Sequence, residues 1–488
     1  MIQFVTSHVS VTLLFWLLYI FDFLVAATVV FLERKDPAAT IAWVTIIFAL
    51  PVAGVVIYFL LSHNIARKRI YKVSDHEMKV IREPLQKQIS EMRSDGYKFE
   101  SRSQEKWQSL IHLNQTLGMA YLTQDNDIRL ITNGEDLFEN LLKDIDEAKS
   151  FINIEYFIIK NDDTGKDLLS HLTAAANRGL SVRLLVDALG TRRLDKKHLL
   201  EFQRAGGKFA TFFPPKFKYL NLNFNYRNHR KLVIIDEVIG YLGGFNIGDE
   251  YLDKKKKFGK WRDTHIRIGG ESIVDMNARF ILDWRLASKE EYSLTRTFYE
   301  FAQRGDKAAV QIVSSGPDSY REEVKHAYLK MISYAEESIY IQTPYFVPDR
   351  SIFDALLNAA RSGVDVRIMI PSIRDHIFVY WATLYYCGLL LAAGVRIFIY
   401  EGGFLHAKTL TVDSEVCSVG SANFDIRSFR LNFETNAFIF DAEESDRMGK
   451  IYEEDITDCR ELTKEAYEAR PVHIKIKENI AKLLSDIL

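Results

Sequence analysis

The chain has 488 residues, 48% hydrophobic and 26% charged, a packable composition long enough for two to four units at about 150 residues each. Lys and Arg total 63 against 65 Asp and Glu, a formal charge of −2 that argues against a dedicated nucleic-acid binder. The three cysteines, Cys387, Cys417 and Cys459, form no CxxC pair, which argues against a disulfide framework or a cysteine zinc site and fits a reducing compartment.

Two apolar runs open the chain. Val9 to Leu32 holds 24 residues with one charge, Asp22, and Ala38 to Ser62 holds 25 with none. At about 1.5 Å per residue each spans roughly 36 Å as a helix, enough for a hydrocarbon core of about 30 Å. Asp22 costs roughly 3 kcal/mol there, and the Leu, Ile, Val and Phe residues around it return about 0.3–0.6 each, so insertion wins. A cleaved signal peptide needs a basic start, yet no Lys or Arg precedes Arg34. The expectation for residues 1–62 is a two-helix transmembrane hairpin turning at Glu33–Pro37. The turn carries Arg34 and Lys35 beside Glu33 and Asp36, whereas Arg67, Lys68, Arg69, Lys72 and Lys79 follow the second run. The positive-inside bias then puts both ends of the hairpin, and all that follows, in the cytoplasm.

Residues 63–121 are charged and helical in period and read as a linker with one or two helices. An internal repeat follows. Phe151-Ile-Asn-Ile-Glu-Tyr-Phe reads like Ser338-Ile-Tyr-Ile-Gln-Thr-Pro-Tyr-Phe, and each precedes a helical pattern and a Gly-x-x-Val-Arg strand, at Gly179 and Gly363. Strands alternating with helices predict α/β units with buried sheets, over residues 122–301 and 302–488, the second ending in a helix. His376 to Gly394 is almost uncharged, but the repeat requires a crossover helix there. It is read as a buried core helix, with a lipid-facing patch as the alternative.

The strongest signal repeats at matching points. His229-Arg-Lys231-(x)4-Asp236 leads after six residues to Gly243-Gly244-Phe-Asn246, and His406-Ala-Lys408-(x)4-Asp413 leads after six to Gly420-Ser421-Ala-Asn423. Strand alternation places His229 with Lys231 and His406 with Lys408 on common faces. Asp236 and Asp413, at an odd offset, point away or lie past the strand end. An imidazole beside an ammonium suits a phosphate, since the lysine supplies charge and the imidazole can attack phosphorus or shuttle a proton. Paired halves would set two imidazoles on opposite sides of one phosphorus, for in-line displacement through a phosphohistidine. Each histidine also needs a partner to fix its tautomer. Asp263 and Glu434 open alternating strands 34 and 28 residues after their histidines, so the expected pairs are Asp263 with His229 and Glu434 with His406. The Lys254–Lys257 run could hold the domain against anionic lipid, or simply be a solvated loop.

These motifs resemble the duplicated HKD signature of the phospholipase D superfamily. With the amino-terminal hairpin, the chain resembles bacterial cardiolipin synthases of that type over nearly its full length. Arg34-Lys-Asp-Pro37, Asn228-His-Arg-Lys231, Trp261-Arg-Asp-Thr-His265, Ser315-Gly-Pro-Asp318 and Gln342-Thr-Pro-Tyr-Phe-Val-Pro-Asp349 support this. The resemblance implies an α/β fold of two pseudo-symmetric phospholipase D-type α/β/α-sandwich halves. It implies transfer of a phosphatidyl group from one phosphatidylglycerol to another, giving cardiolipin and glycerol, at a bacterial plasma membrane and without metal or cofactor. It makes His229, Lys231, Asp236, His406, Lys408 and Asp413 catalytic. Lys231, Lys408, Asn246 and Asn423 would hold the phosphoryl oxygens, and Gly244 and Ser421 would let backbone approach the substrate. His229 as nucleophile and His406 as general acid is the family's assignment, because the repeat's symmetry leaves both roles open. A phospholipase D releasing phosphatidic acid, a transferase to another alcohol, a nuclease and a non-catalytic scaffold are the alternatives.

Overall fold

In the computed structural model the described residues are 2–32, 37–61, 70–94, 96–191, 194–214, 225–255, 257–292, 308–483 and 485. Outside them lie the turn at Glu33–Asp36, the basic residues Arg67 to Arg69, Lys256, and the boundary expected between the halves at residues 301 and 302.

The amino-terminal unit, Met1–Ile65 with Pro215–Asn225, contains helices α1 (Ile2–Leu32), α2 (Pro37–Ala49) and α3 (Ala53–Leu61). Here the structure departs from the expected hairpin. The second apolar run is not one helix but two pieces of 13 and 9 residues. Pro51 has no N–H to continue the ladder, and Val52 adopts φ 65°. The N–H of Val52 faces Oδ1 of the buried Asp22 at 3.5 Å. Over the described residues no helix is long and apolar enough to cross a membrane. Trp16, Phe23, Phe31 and Ile41 are exposed.

The remaining chain forms a second unit. Residues expected to be a linker are part of its core. Helix α4 (Asp75–Arg93) opens with a Ser74–Glu77 capping box. Trp107, Leu110 and Ile111 are fully buried with side chains of the second half, and the Nε1–H of Trp107 donates to Glu415 at 3.1 Å. Charge on one helical face concealed this apolar one.

The first half contributes β1 (Thr123–Ile131), β2 (Phe151–Tyr156), β3 (Ser181–Asp187), β4 (Lys208–Phe212), β5 (Leu232–Ile235), β6 (Ile239–Gly243) and β7 (His265–Gly270). The second contributes β8 (Ala308–Ser315), β9 (Ser338–Gln342), β10 (Asp365–Pro371), β11 (Arg396–Tyr400), β12 (Thr409–Val412), β13 (Val416–Gly420), β14 (Asn432–Ile439) and β15 (Cys459–Leu462). They join in one mixed sheet ordered β15-β11-β10-β9-β12-β13-β14-β8-β1-β7-β6-β5-β2-β3-β4. Read outward from the antiparallel β1–β8 pair, the two directions are the same seven-strand sequence, with β15 added at one edge. The repeat is therefore a pseudo-dyad.

Both sheet faces are covered. In β2, Ile152 and Ile154 pack with helices α5 (Gly134–Glu147) and α6 (Asp163–Asn177). Asn153 between them faces the other way and donates to Asn277 of α8 (Ser272–Ser288), which follows α7 (Lys196–Arg204). The second half repeats this. Ile339 and Ile341 pack with α9 (Glu323–Tyr334) and α10 (Arg350–Arg361), while Tyr340 stacks on Tyr452 beyond α11 (Ile377–Leu391), in α12 (Ala442–Ile456). Helix α11 is the segment expected to be a buried crossover. Trp381, Ala382 and Cys387 are buried, partly beneath the last helix, α13 (Val472–Leu483), but Ile377, Phe378 and Leu389 remain exposed.

Candidate active site

The two motif histidines stand just before β5 and β12, equivalent strands on either side of the pseudo-dyad. Both line one cleft of about 470 Å³, together with Asn246, Asn423, Arg227, Arg427, Glu250, Tyr251, Trp261, Phe404 and Tyr345. The duplication expected from sequence therefore converges on one site.

The pairing of histidines and acids is the reverse of the expected one. His229 Nδ1 lies 3.0 Å from Glu434 Oε2, and His406 Nδ1 lies 2.6 Å from Asp263 Oδ2. Each histidine is oriented by the carboxylate of the other half. The reason is topological: β7 and β14 flank the central β1–β8 pair, and the first residues of β14 and the residues just before β7 reach the opposite motif. The N–H of His229 bonds to the carbonyl of Phe433, beside Glu434, and the N–H of His406 bonds to the carbonyl of Arg262, beside Asp263. With Nδ1 occupied, Nε2 of each ring is the nitrogen available to the cleft.

The lysines lie behind the histidines. Lys231 Nζ donates to the His229 carbonyl at 2.6 Å, and Lys408 Nζ donates to the His406 carbonyl. Lys408 Nζ also lies 2.8 Å from His406 Nδ1, but that nitrogen's hydrogen goes to Asp263, so this is a charge contact and not a bond. Burial pushes the lysines down, Lys231 to about 7 and Lys408 to about 8. Burial likewise lowers both imidazoles, aided by the ammonium groups and opposed by the carboxylates, and His406 falls to about 4. Burial would raise Asp263 and Glu434, but their cationic neighbours outweigh it and both are held below the usual carboxylate range. The cleft thus gathers anionic acids, neutral imidazoles and ammonium groups close to losing their protons. An entering phosphate anion would favour the charged form of each cation.

Other expected site residues fall elsewhere. Asp236 and Asp413 do not line the cleft. Each sits in a left-handed turn past the end of its strand, φ 55° and 52°. Asp236 accepts from the N–H groups of Lys149, Ser150 and Phe151. Asp413 accepts from those of Glu336, Glu337 and Ser338. Both therefore fix where β2 and β9 begin, and a direct catalytic place for them is corrected to this one. Gly244 and Ser421 face the acids, not a substrate. A Cβ on Gly244 would overlap the Asp263 carboxylate, and the Ser421 hydroxyl donates to Glu434 at 2.5 Å. Asn246 and Asn423 do line the cleft; Asn246 Oδ1 accepts from the Ile158 N–H at 3.2 Å, and Asn423 Nδ2 donates to Asp425 at 3.1 Å. Of the lysine run, Lys255 lies 3.5 Å from Asp162 and Lys257 sits over Phe258. Among the described residues no group of three or more His, Cys, Asp or Glu side chains could hold a metal ion.

Sequence reasoning missed Arg230, whose place between His229 and Lys231 was passed over. It is buried and donates to Asp283 at 2.8 Å, to the Ser315 carbonyl and to the Glu434 carbonyl, tying the first motif to the second half. A further basic side chain between His229 and Lys231, just ahead of the apolar strand β5, was the available signal. Glu155 was missed too. It accepts from Asn228, next to His229, and burial pushes it up to about 8.

A family model described as the PLD-like domain of cardiolipin synthase matches residues 141–258 and 328–456, covering both motifs. A phospholipase D-nuclease amino-terminal model matches residues 20–62. The chain is 47% identical to a major cardiolipin synthase of Bacillus subtilis, over 98% of this chain and 99% of that one. It is 43% identical to a cardiolipin synthase of Staphylococcus aureus, over 99% and 98%. Among solved structures, phosphatidylserine synthase of Haemophilus influenzae matches with TM-score 0.61 and 14% identity over 78% of this chain and all of that one, a likeness of fold. Similarity that runs end to end, and a family model that spans both copies of the motif, place the chain in the cardiolipin synthase family of phospholipase D-like proteins.

Proposed function

We propose that the chain is a cardiolipin synthase, a phosphatidyltransferase that joins two phosphatidylglycerols and releases glycerol. The observation that carries the chemistry is the pair of imidazoles in one cleft, each fixed at Nδ1 by a carboxylate of the opposite half, with Nε2 left to face a phosphorus.

His229 attacks the donor phosphorus. An N–P bond forms, the P–O bond to the glycerol headgroup breaks, and His406 gives its proton to the departing oxygen. His406 then takes the proton of the acceptor's glycerol hydroxyl, whose oxygen forms the new P–O bond as the N–P bond breaks. Lys231, Lys408, Asn246 and Asn423 stabilise charge on the phosphoryl oxygens. Neutral imidazoles suit attack, and the phosphodiester anion itself favours the proton that the second ring must carry. One phosphodiester replaces another, so no nucleotide drives the reaction.

The amino-terminal unit holds the enzyme in the plasma membrane as a helical hairpin, with the catalytic unit on the cytoplasmic side. The two apolar runs and the exposed Trp16, Phe23 and Phe31 support this, as does the family match over residues 20–62. The break at Pro51 makes the returning arm a kinked one.

The test is a product analysis of the full chain in phosphatidylglycerol vesicles, with chelator and without nucleotide. Cardiolipin with equimolar glycerol is the expected result. Phosphatidic acid in its place would overturn the reading, since water would then be the acceptor.

A further inference from the structure

The halves match position by position around the motifs, which makes their departures informative. Arg227 stands two residues before His229, and the matching position before His406 is Phe404. Arg427 stands four residues after Asn423, and the matching position after Asn246 is Glu250. All four side chains line the same cleft. The cleft is therefore symmetric at its histidines and polarised around them. One flank has two guanidiniums. On the other, Phe404 packs on Trp261 at 4.8 Å, Trp261 on Tyr251 at 4.6 Å, and Glu250 pairs with Lys160 at 2.5 Å.

Two carboxylates near the guanidiniums, Asp187 beside Arg227 and Asp425 beside Arg427, favour their charge and are shared with neutral donors. Asp187 accepts from the N–H groups of Leu189 and Gly190 with Oδ1 and from that of Asn228 with Oδ2. Asp425 accepts from the N–H of Ser428 and from Asn423 Nδ2. Arg227, itself buried, donates to the carbonyl of Tyr226; burial disfavours its charge, Asp187 favours it, and the nearby Arg427 opposes it. A phosphate anion between the two guanidiniums would offset their mutual repulsion.

The reaction proposed above handles two phosphodiesters, and the histidines act on one. We propose that Arg227 and Arg427 form a second anion subsite that holds the intact phosphodiester of the acceptor lipid while its glycerol hydroxyl attacks the phosphatidyl-histidine. This rests on the cardiolipin synthase reading. Guanidiniums suit the task because their planar forks bind phosphate oxygens bidentately. During transfer the acceptor's phosphodiester neither gains nor loses a bond. It stays on the arginines while the new P–O bond forms, the N–P bond breaks and the hydroxyl proton passes to the second imidazole. Water and simple alcohols gain nothing from such a subsite, so it selects an anionic lipid acceptor over them.

Full-length Arg227→Gln, Arg427→Gln and the double variant should be compared with wild type on phosphatidylglycerol vesicles containing ethanol as a competing acceptor that lacks phosphate. Lipid mass spectrometry reads cardiolipin against phosphatidylethanol. Each single variant is expected to lower that ratio about tenfold, the double variant further, and Arg427→Lys less than Arg427→Gln. If both products fall in proportion, the arginines serve the reacting phosphate or the fold, and the proposal is overturned. An unchanged ratio overturns it equally. Wild type that makes phosphatidylethanol but no cardiolipin sinks the underlying functional reading instead.

Discussion

Glu434 lies against His229, the histidine of the other half, with its Oε2 3.0 Å from the ring's Nδ1. The same carboxylate accepts from the Ser421 hydroxyl, and the arrangement is mirrored by Asp263 and His406. An acid in this place fixes the tautomer and stabilises the imidazolium as it forms. Glu434→Gln keeps the shape and removes the charge. We expect kcat for cardiolipin formation to fall about 10²-fold or more, with KM changed far less. Unchanged kcat in a folded variant would show that the contact does not serve the chemistry.

The nucleophile can be identified by trapping. With His406→Ala, His229 is left to attack while the proton donor and acceptor is gone, so a phosphatidyl-enzyme should accumulate on His229. With His229→Ala no adduct should form. Acid-free peptide mapping of quenched enzyme reads the site of attachment, and an adduct on His406 in wild type would exchange the two roles.

The pH dependence follows from burial. Lys231 and Lys408 are pushed down to about 7 and about 8, so each charge is present below that pH and lost above it. His229, the nucleophile, must be neutral to attack, and burial lowers it, so its neutral form persists below the ordinary imidazole range. Loss of the lysine charges should lower the rate above a pH of about 7 to 8, and the acid limb, set by His229, should lie under about 6.5. A profile still rising at about pH 9 would contradict the assigned place of the lysines.

The two motifs, the strands beside them and the internal α/β repeat are legible because each is set by spacing along a short stretch. The crossing of acids and histidines was not, since His229 and Glu434 are 205 residues apart and meet only through the order of strands about the dyad. Strand alternation also put Asp236 and Asp413 either on the other face or past their strands, and the backbone groups they hold belong to segments more than 70 residues away. The run from Ala38 to Ser62 misled for a different reason. Its composition is uniformly apolar, and a single Pro51 decides where the helix ends.

Arg230 offers a stability test separate from chemistry. Its guanidinium is buried against Asp283, which also receives Arg279 and the Tyr71 hydroxyl, the latter at 2.5 Å. Removing one member of a buried, hydrogen-bonded ion pair leaves an under-compensated charge and typically costs about 3–5 kcal/mol. Arg230→Met should therefore lower the unfolding free energy by roughly 3 kcal/mol, read by denaturant titration of the catalytic unit's tryptophan signal. A loss under about 0.5 kcal/mol would mean that Arg279 and Tyr71 alone satisfy Asp283.

The positions of Gly244 and Ser421 show how two acids of different length reach equivalent histidines. Ser421 supplies a hydroxyl to the longer Glu434, and Gly244 leaves room for the shorter Asp263, whose carboxylate a Cβ would overlap. The two sites should then respond unequally to reciprocal exchanges. Gly244→Ser must displace Asp263 from His406, and kcat should drop by about 10²-fold or more. Ser421→Gly removes one hydrogen bond from Glu434 but leaves the carboxylate beside His229, so the loss should be nearer tenfold, about 1.4 kcal/mol in the transition state. Steady-state rates on phosphatidylglycerol vesicles decide it. Equal losses in the two variants would show that the acids are held by the surrounding loops and not by the residues they face.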